Sequence, residues 1–198
     1  MPSAPDGQLL NQSDIARDAG LSQPTAHRYI GLLEMTHLFH RLPSYAGGRT
    51  TQLVESPAAS GPIRRWRCSC PATTTQDSLR ASRRLGGFFE ALVFVHLTAL
   101  AEQLVPRARL SFWRTRAAGA EVDFVVHGRR QLAVEVKLTE ASGIRHTAGL
   151  KRFIDAQPGS RGLLVHAGDA TIRLAEDIVA VPWTALGGVA AMSPPAGR

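Results

Sequence analysis

Two carboxylates and an amine recur at strand-like spacing in the stretch EVDFVVHGRRQLAVEVK, residues 121–137. Asp123 lies in the first apolar run, and Glu135 and Lys137 alternate with valines in the second. If the intervening His-Gly-Arg-Arg forms a turn, Asp123 lies across from Glu135 to within about one residue. Carboxylates about 5 Å apart at Cβ repel each other, and a divalent cation held between them removes that repulsion. Hard oxygen ligands of this type suit Mg²⁺ or Mn²⁺.

The faces of the two strands follow from the period-two alternation of strand side chains. The first strand is expected to carry one set of side chains on each face, with Glu121, Asp123 and Val125 on one and Val122, Phe124 and Val126 on the other. In the second strand, Glu135 and Lys137 share a face opposite Val134 and Val136. The alternation therefore predicts a hairpin with charged groups on one face and hydrocarbon on the other.

Lys137 would point at the same site as the two carboxylates. An ammonium group there can orient or deprotonate a water, or offset charge that develops on a phosphoryl group in the transition state. Arginine could not transfer the proton, because it stays charged. The chain has only two lysines, Lys137 and Lys151, among its 23 basic residues, so a lysine at this position is informative. Glu90, on an apolar helix upstream, could complete the metal shell.

The elements that must position these groups follow a regular order. Gly87–Leu104 is predicted as a helix that is mostly apolar. Three strands are predicted at RLSFWRT, AEVDFVVHG and QLAVEVKLT, then a helix at HTAGLKRFIDAQ and two strands at RGLLVHAG and DIVAVPWTAL. The order α-β-β-β-α-β-β predicts a mixed α/β (α+β) domain over residues 85–189.

The first block, residues 1–54, has the pattern of a winged helix-turn-helix. Ser13 can cap a helix through Asp14–Ala19, and Ser22 can cap a second helix from about Gln23 to Glu34. The segment HLFHRLPSYAGGRTTQLV then alternates apolar and polar residues around a Gly-Gly turn, as a β-wing would.

A helix-turn-helix can place its second helix in the major groove of DNA. The side chains expected to contact DNA are Gln23, Thr25, His27 and Arg28 on that helix and Arg41 and Arg49 on the wing. Winged helices also serve as protein-contact modules, and both interpretations stay open. Arg114 could face a substrate phosphate, or it could form a surface ion pair.

The overall charge favours an anionic partner, nucleic acid first. The formal charge is 23 − 16 = +7, and the sequence pI is near 10.6. An arginine-rich composition from a GC-rich genome is a competing explanation. Cys68 and Cys70 form a lone C-x-C pair, which indicates neither a zinc site nor a disulfide framework. The apolar run at 91–100 is too short to span a bilayer, and the N-terminus has no signal-peptide pattern, so we expect a cytoplasmic protein with no membrane partner.

Two segments fall outside these regular blocks. Residues 55–84 are rich in Pro, Ser, Thr, Ala and Arg, and are predicted to form an irregular linker. A local shift of the reading frame is the alternative explanation for this segment. Residues 190–198 are predicted to be a disordered tail.

The Glu…Asp…Glu-x-Lys pattern on this element order resembles the PD-(D/E)XK nuclease superfamily. More narrowly, GGFFEALVFVHL, FWRTRAAGAEVDFVV, LAVEVKLT and GLLVHAG resemble the C-terminal half of bacterial and archaeal AAA-type ATPases, where the region after the ATPase module is a domain of unknown function. This resemblance implies a nuclease-like site that consists of Glu90, Asp123, Glu135 and Lys137. It covers nearly the whole chain except residues 58–82, where that family has an apolar segment that contains Asp.

The chain contains no G-x-x-x-x-G-K-[ST] motif, because neither lysine follows glycine, so no ATP site is expected. The ATPase module would lie upstream of Met1 or be absent. The expected function is DNA binding with Mg²⁺- or Mn²⁺-dependent phosphodiester hydrolysis, in which Asp123, Glu135 and Glu90 bind the metal. The alternative is a non-catalytic DNA- or protein-binding module that regulates an associated ATPase. A transcription regulator that binds DNA through its first block alone is a third hypothesis.

Overall fold

A computed structural model of the protein describes residues 12–36, 40–45, 85–115 and 120–188. The helices are α1 (Gln12–Asp18), α2 (Gln23–Met35), α3 (Leu85–Gln103), α4 (Ala148–Ala156) and the short α5 (Ala185–Gly188), with a 3₁₀ turn at Ile144–His146. The strands are β1 (Arg109–Arg114), β2 (Glu121–His127), β3 (Gln131–Lys137), β4 (Arg161–His166), β5 (Ile172–Ala175) and β6 (Ile178–Pro182). Within these ranges, the protein is a mixed α+β structure.

All six strands belong to one sheet, in the order β1-β2-β3-β4-β6-β5. The pairs β1–β2, β2–β3 and β5–β6 are antiparallel, whereas β3–β4 and β4–β6 are parallel. The parallel pair β3–β4 needs a crossover, and α4 supplies it. The helices and strands predicted from residue 85 onward are therefore confirmed. The edge strand β5 was not predicted, because it has only four residues and none of them is fully buried.

Helices cover both faces of the sheet. On one face, α3 packs Phe89, Val93 and Phe94 against Phe124 and neighbouring apolar side chains of the sheet. On the other face, α4 packs against a second apolar cluster, to which it contributes Leu150 and Phe153. Strand β3 contributes to both clusters, with Val134 and Val136 toward α3 and Ala133 toward α4. This alternation places Glu135 and Lys137 on the face that α4 covers, so the predicted shared face is confirmed. The predicted separation of charge from hydrocarbon is wrong, because the α4 face also carries the apolar Val122, Val125 and Ala133.

The two N-terminal helices join through the predicted tight turn. Gly20 has φ 66°, which favours glycine, and the Ser22 hydroxyl accepts a hydrogen bond from the Thr25 amide (3.3 Å) at the start of α2. The predicted cap at Ser13 is not observed, because α1 begins at Gln12 and places Ser13 inside the helix. Of the predicted wing, residues 37–54, the structure describes only residues 40–45. Its Gly-Gly turn lies outside the described residues, as do the predicted linker and the C-terminal tail.

Residues 43–45 extend the sheet beyond β1. The Tyr45 amide donates to the Phe112 carbonyl (2.7 Å), and the Phe112 amide donates to the Pro43 carbonyl (3.0 Å). Tyr45 itself is buried on the α4 face, where its ring lies 5.3 Å from that of Phe153. Its hydroxyl lies 2.7 Å from Oε1 of Gln131. The chain that follows α2 therefore contributes to the core of the sheet domain.

Helix α3 has the length and apolar composition of a membrane-spanning helix, and it is the one described helix that does. A core helix of a globular domain can have the same two properties. In this structure, Val93, Phe94 and Leu97 of α3 are buried against the sheet, whereas Val95 is 62% exposed.

Gly149 allows α4 to approach β2 closely. A Cβ atom at this position would lie 2.2 Å from the Glu121 carbonyl oxygen, which is a backbone atom that cannot move aside alone. We expect Gly149→Ala to lower the free energy of unfolding by about 1–3 kcal/mol, despite the better helix propensity of alanine. Urea denaturation of both proteins measures the difference.

Gly31→Ala is the matched control, because Gly31 also lies in a helix and its added Cβ would meet no atom within 4 Å. We expect this variant to be neutral or more stable by up to about 1 kcal/mol. If both substitutions stabilise the protein equally, the close approach of α4 to Glu121 is wrong.

Candidate functional site

The candidate site begins at a β-bulge in β2. Ser111 of β1 pairs with Val125 and Trp113 pairs with Val122, so Asp123 and Phe124 together lie opposite Phe112. The extra residue bends a strand and redirects its side chains, and such bulges are enriched near active sites. The ladder between β2 and β3 ends at Phe124–Val134. Beyond that pair, the Asp123 Oδ2 atom accepts a hydrogen bond from the Val136 amide (2.8 Å), so this side chain takes the place of a backbone partner.

The bulge corrects one prediction of the sequence analysis. Strict alternation placed Val122 on the same face as Phe124. In the structure, Val122 packs with Val125 in the α4-side cluster, whereas Phe124 packs with Val134 under α3. The alternation fails because the additional residue shifts the register of the strand by one position relative to β1. The predicted proximity of Asp123 to β3 does not depend on that error.

Glu135 and Lys137 form an ion pair at the C-terminal end of β3. The Lys137 Nζ atom lies 2.7 Å from the Glu135 Oε1 atom, with the two side chains 43% and 12% exposed. The position of α4 further encloses Glu135, because a Cβ at Gly149 would lie only 3.7 Å from its Oε2 atom. Burial of a carboxylate is costly unless it is paired, so the lysine stabilises Glu135 in its ionised form.

All three predicted site acids, Glu90, Asp123 and Glu135, affect the pKa of Lys137. Burial alone would lower this pKa, but the attraction of Glu135, a hydrogen bond to it, and the charges of Asp123 and Glu90 together raise it above the ordinary value. The structure thus brings Glu90 of α3 within electrostatic reach of Lys137 on β3. With a raised pKa, Lys137 is protonated at neutral pH, which favours a role in charge stabilisation or water orientation over one as a general base.

The donor set is suited to a hard divalent cation. Among the described residues, no group of three or more His, Cys, Asp or Glu side chains is arranged to hold a metal ion. Mg²⁺, however, is often bound by one or two carboxylates together with waters and substrate phosphate oxygens. Asp123 and Glu135 provide two carboxylates, each one residue beyond the last β2–β3 pair, Phe124–Val134, and the charges of both act on Lys137. The residues present therefore fit Mg²⁺ or Mn²⁺ as a shared ligand of protein and phosphate, without a complete protein cage.

His166 lies beside this site and was missed by the sequence analysis. It pairs with Lys137 across the parallel strands β3 and β4, and its ring is buried. Its Nδ1 atom accepts a hydrogen bond from the Gly168 amide (3.0 Å), so Nε2 carries the hydrogen and donates to the Ala170 carbonyl (3.0 Å). Both ring nitrogens therefore bond to the turn after β4 and stabilise it. In the sequence, the position of His166 at the end of a predicted strand was the one feature that could have identified it.

The predicted DNA-contact residues of the helix pair have different environments. Gln23 donates from Nε2 to the Ser13 hydroxyl (2.9 Å), and the Thr25 hydroxyl lies 2.8 Å from that of Ser22. These two side chains therefore stabilise the turn between the helices. His27 and Arg28 are exposed on α2.

Of the three other predicted contact residues, two form ion pairs and one lies outside the described residues. Arg41 pairs through its Nε atom with Glu34. Arg114 lies 3.9 Å from the Glu121 carboxylate across β1 and β2, at the long limit of an ion pair. Arg49 lies outside the described residues.

A second polar cluster occupies the opposite end of the hairpin. The Ser111 hydroxyl lies 2.6 Å from Nε2 of His127, and the imidazole stacks on the Tyr45 ring at 5.1 Å. The pKa of His127 is lowered, first by burial and then by the positive charge of Arg109. A neutral imidazole at this position bonds to Ser111 and packs on Tyr45, which fixes the start of β1 against the end of β2.

The hydrogen bond between Asp123 and Val136 yields a direct test of the site geometry. We expect Asp123→Ala to raise the exchange rate of the Val136 amide hydrogen, because the variant lacks the acceptor. Asp123→Asn should keep most of the protection, since its side-chain oxygen can still accept. Amide exchange measured by NMR distinguishes the two, with Asp155→Ala on the exposed face of α4 as a control. Equal protection in Asp123→Ala and the unmodified protein would contradict this geometry.

Comparison with known proteins adds a family but no activity. Uncharacterised proteins of Mycobacterium bovis and Mycobacterium tuberculosis are each 28% identical to the chain over 179 residues, which cover 89% of this chain and 38% of the relative. The chain therefore spans 38% of the length of the curated relatives it matches. No solved structure matches the chain. Residues 2–58 match the family described as Domain of unknown function (DUF8612). Residues 85–186, slightly more than half of the chain, match Domain of unknown function (DUF4143), which often occurs with AAA ATPases, and the chain belongs to that family.

Proposed function

We propose that this protein binds DNA and that its sheet domain is a PD-(D/E)XK-like nuclease domain, which hydrolyses phosphodiester bonds with Mg²⁺ or Mn²⁺. One observation carries the proposal. The Asp123 carboxylate is held by the Val136 amide at the point where β2 separates from β3, beside the Glu135–Lys137 ion pair. Two carboxylates and one ammonium group at the end of a sheet can support metal-assisted phosphoryl transfer.

The side chains have separate roles in this proposal. Asp123 and Glu135 would hold the metal ion, and Glu90 would assist from α3. The chemistry that Mg²⁺ supplies when bound is polarisation of a phosphoryl oxygen and activation of a water. Lys137, protonated because of its acidic neighbours, would orient that water and offset negative charge that develops on the phosphate.

The charge of the chain and its family support two proposed partners, DNA and an ATPase module. A formal charge of +7 favours association with a polyanion, and the exposed Arg28 on α2 is the best-placed described residue for a phosphate contact from the helix pair. An AAA-type ATPase module, on the same chain in relatives or on a partner, would couple nucleotide hydrolysis to this domain. The chain itself has no P-loop for ATP.

A non-catalytic module that binds DNA or a partner protein is the second candidate. It is favoured by the direct ion pair between Lys137 and Glu135, which already neutralises the buried carboxylate, and by the lack of a three-ligand metal group among the described residues. In this case the charged cluster would be a structural ion network, and the domain would regulate an associated ATPase without cleaving DNA.

Substitution of the site residues separates the two candidates. We expect Asp123→Asn and Lys137→Ala each to reduce Mg²⁺-dependent DNA cleavage at least about 100-fold, because each removes charge that acts in the transition state. Asp123→Asn should also weaken Mn²⁺ binding in a calorimetric titration. Circular dichroism and urea denaturation establish that the variants remain folded.

The controls use the same residue types elsewhere on the chain. Lys151→Ala replaces the only other lysine, and Asp155→Asn replaces an aspartate on the exposed face of α4. Both should cleave at the rate of the unmodified protein. Mn²⁺ binding and cleavage that are identical in Asp123→Asn and Asp155→Asn would exclude this nuclease site. No metal binding by the folded protein would favour the non-catalytic module.

Substitutions of Arg28 and Arg41 should have different effects on DNA binding. Arg28→Ala should weaken binding and reduce the slope of log K against log salt by about 1, because one phosphate contact is lost. Arg41→Ala should leave that slope unchanged, since its guanidinium is engaged by Glu34, and should lower the free energy of unfolding by up to about 1 kcal/mol. Fluorescence anisotropy over a salt series measures the slopes. Equal slopes for Arg28→Ala and the unmodified protein would exclude the contact by Arg28.

A further inference from the structure

The loop between β3 and α4, residues 138–147, carries two buried polar groups that the fold does not use. The Ser142 Oγ and His146 Nδ1 atoms are both buried, and neither has a hydrogen-bond partner within the described part of the chain. Buried polar atoms are nearly always hydrogen-bonded, because leaving one unsatisfied is costly. Two such atoms in one ten-residue loop are therefore available to bond with a ligand.

The neighbouring Arg145 determines which ring nitrogen of His146 can donate a hydrogen bond. The Arg145 Nε atom donates to His146 Nε2 at 3.1 Å, so Nε2 is an acceptor and the hydrogen of the neutral ring lies on Nδ1. The pKa of His146 is lowered, first by burial and then by the charges of Arg145 and Lys137, which keeps the ring neutral. The buried Nδ1 is therefore a hydrogen-bond donor, and the hydroxyl of Ser142 can donate as well.

The backbone places this loop beside the charged cluster. It begins where β3 ends at Lys137 and closes at α4, whose Gly149 lies against the Glu135 carboxylate. The Ala167 amide donates to the Thr139 carbonyl at 3.0 Å, which ties the loop to the end of β4. The positive charge of Lys137 also acts on the His146 ring.

We propose that residues 138–147 are the phosphate-binding element of the site. The His146 Nδ1–H and Ser142 Oγ–H groups donate hydrogen bonds to non-bridging oxygens of a nucleic-acid phosphate held next to Lys137. Arg145 is a positioning residue, because its bond to Nε2 fixes the tautomer of His146. That this phosphate is the one whose ester bond is cleaved rests on the proposed nuclease function. Binding of an anion by the loop does not depend on that function.

The chemistry of the ligand follows from the groups that surround it. The loop carries two neutral donors and the Arg145 guanidinium, and it follows directly on Lys137. The positive charges of Arg145 and Lys137 both act on His146, so a cation beside this ring would be repelled. A phosphate diester provides non-bridging oxygens that only accept hydrogen bonds and that carry negative charge.

Binding of inorganic phosphate and of a short DNA duplex, measured by calorimetry in the absence of divalent metal, tests the proposal. His146→Ala should weaken both affinities about tenfold or more, since a hydrogen bond to a charged group is lost. His146→Asn should restore affinity to within about threefold, because its amide N–H lies near the position of Nδ1–H. Arg129→Ala, at the exposed β2–β3 turn, is the control and should leave phosphate affinity unchanged.

Two further readouts distinguish ligand binding from a structural role. Ser142→Ala should weaken phosphate binding while the protein stays as stable or becomes more stable, because the variant removes a buried hydroxyl that lacks a partner among the described residues. Arg145→Ala should change the ¹⁵N signals of the His146 ring from the Nδ1–H tautomer toward a mixture. A loss of stability in Ser142→Ala without loss of phosphate affinity would overturn the role of Ser142.

The outcomes separate this proposal from the proposed function. If His146→Ala and His146→Asn both bind phosphate and DNA like the unmodified protein, the phosphate-binding loop is overturned, even where Asp123→Asn abolishes cleavage. If His146→Ala weakens binding and His146→Asn restores it in a protein that cleaves no DNA, the loop stands and the nuclease function fails.

Discussion

The charge balance around Glu135 is the constraint on which the site depends. A carboxylate almost enclosed between a hydrocarbon sheet and α4 is stable only where positive charge and donors surround it. Lys137 provides that charge at 2.7 Å, and the acids around the lysine hold it protonated in return. Neither residue can be exchanged alone without leaving a charge uncompensated. The ion pair therefore stabilises the free protein. When a metal ion or substrate binds and changes the local charge, the two side chains would be available for phosphate chemistry.

The topology of the sheet explains why polar groups collect at this end. Strand β3 has an antiparallel neighbour on one side and a parallel neighbour on the other. On the antiparallel side, the bulge ends the ladder at Phe124, which leaves room for the Asp123 side chain to bond with β3. On the parallel side, strands β3, β4 and β6 end together, and their connecting loops meet beyond the same edge, where open α/β sheets usually bind ligands. The turn held by His166 and the loop that contains His146 both lie there.

The rest of the domain provides a rigid base for these loops. Phe94 of α3 packs against Phe124, and Phe153 of α4 packs against Trp113, so both faces of the central strands are covered. Apolar packing of this kind tolerates few changes of volume, which is why the contact of Gly149 with Glu121 constrains the position of α4. Any displacement of α4 would move the backbone next to Glu135. Packing and site geometry are thus coupled through one helix.

The sequence by itself determined most of the elements and the shared face of Glu135 and Lys137, because strand alternation and helix periodicity are local properties. It also determined the Ser22 cap of α2, which depends on residues three positions apart. Only the tertiary structure decided that β2 carries a bulge, since a bulge exists relative to a partner strand. It likewise decided that Gln23 bonds to Ser13, that Arg41 pairs with Glu34, and that Gly149 lies against Glu121. These facts depend on residues distant in the chain, and no local pattern contains them.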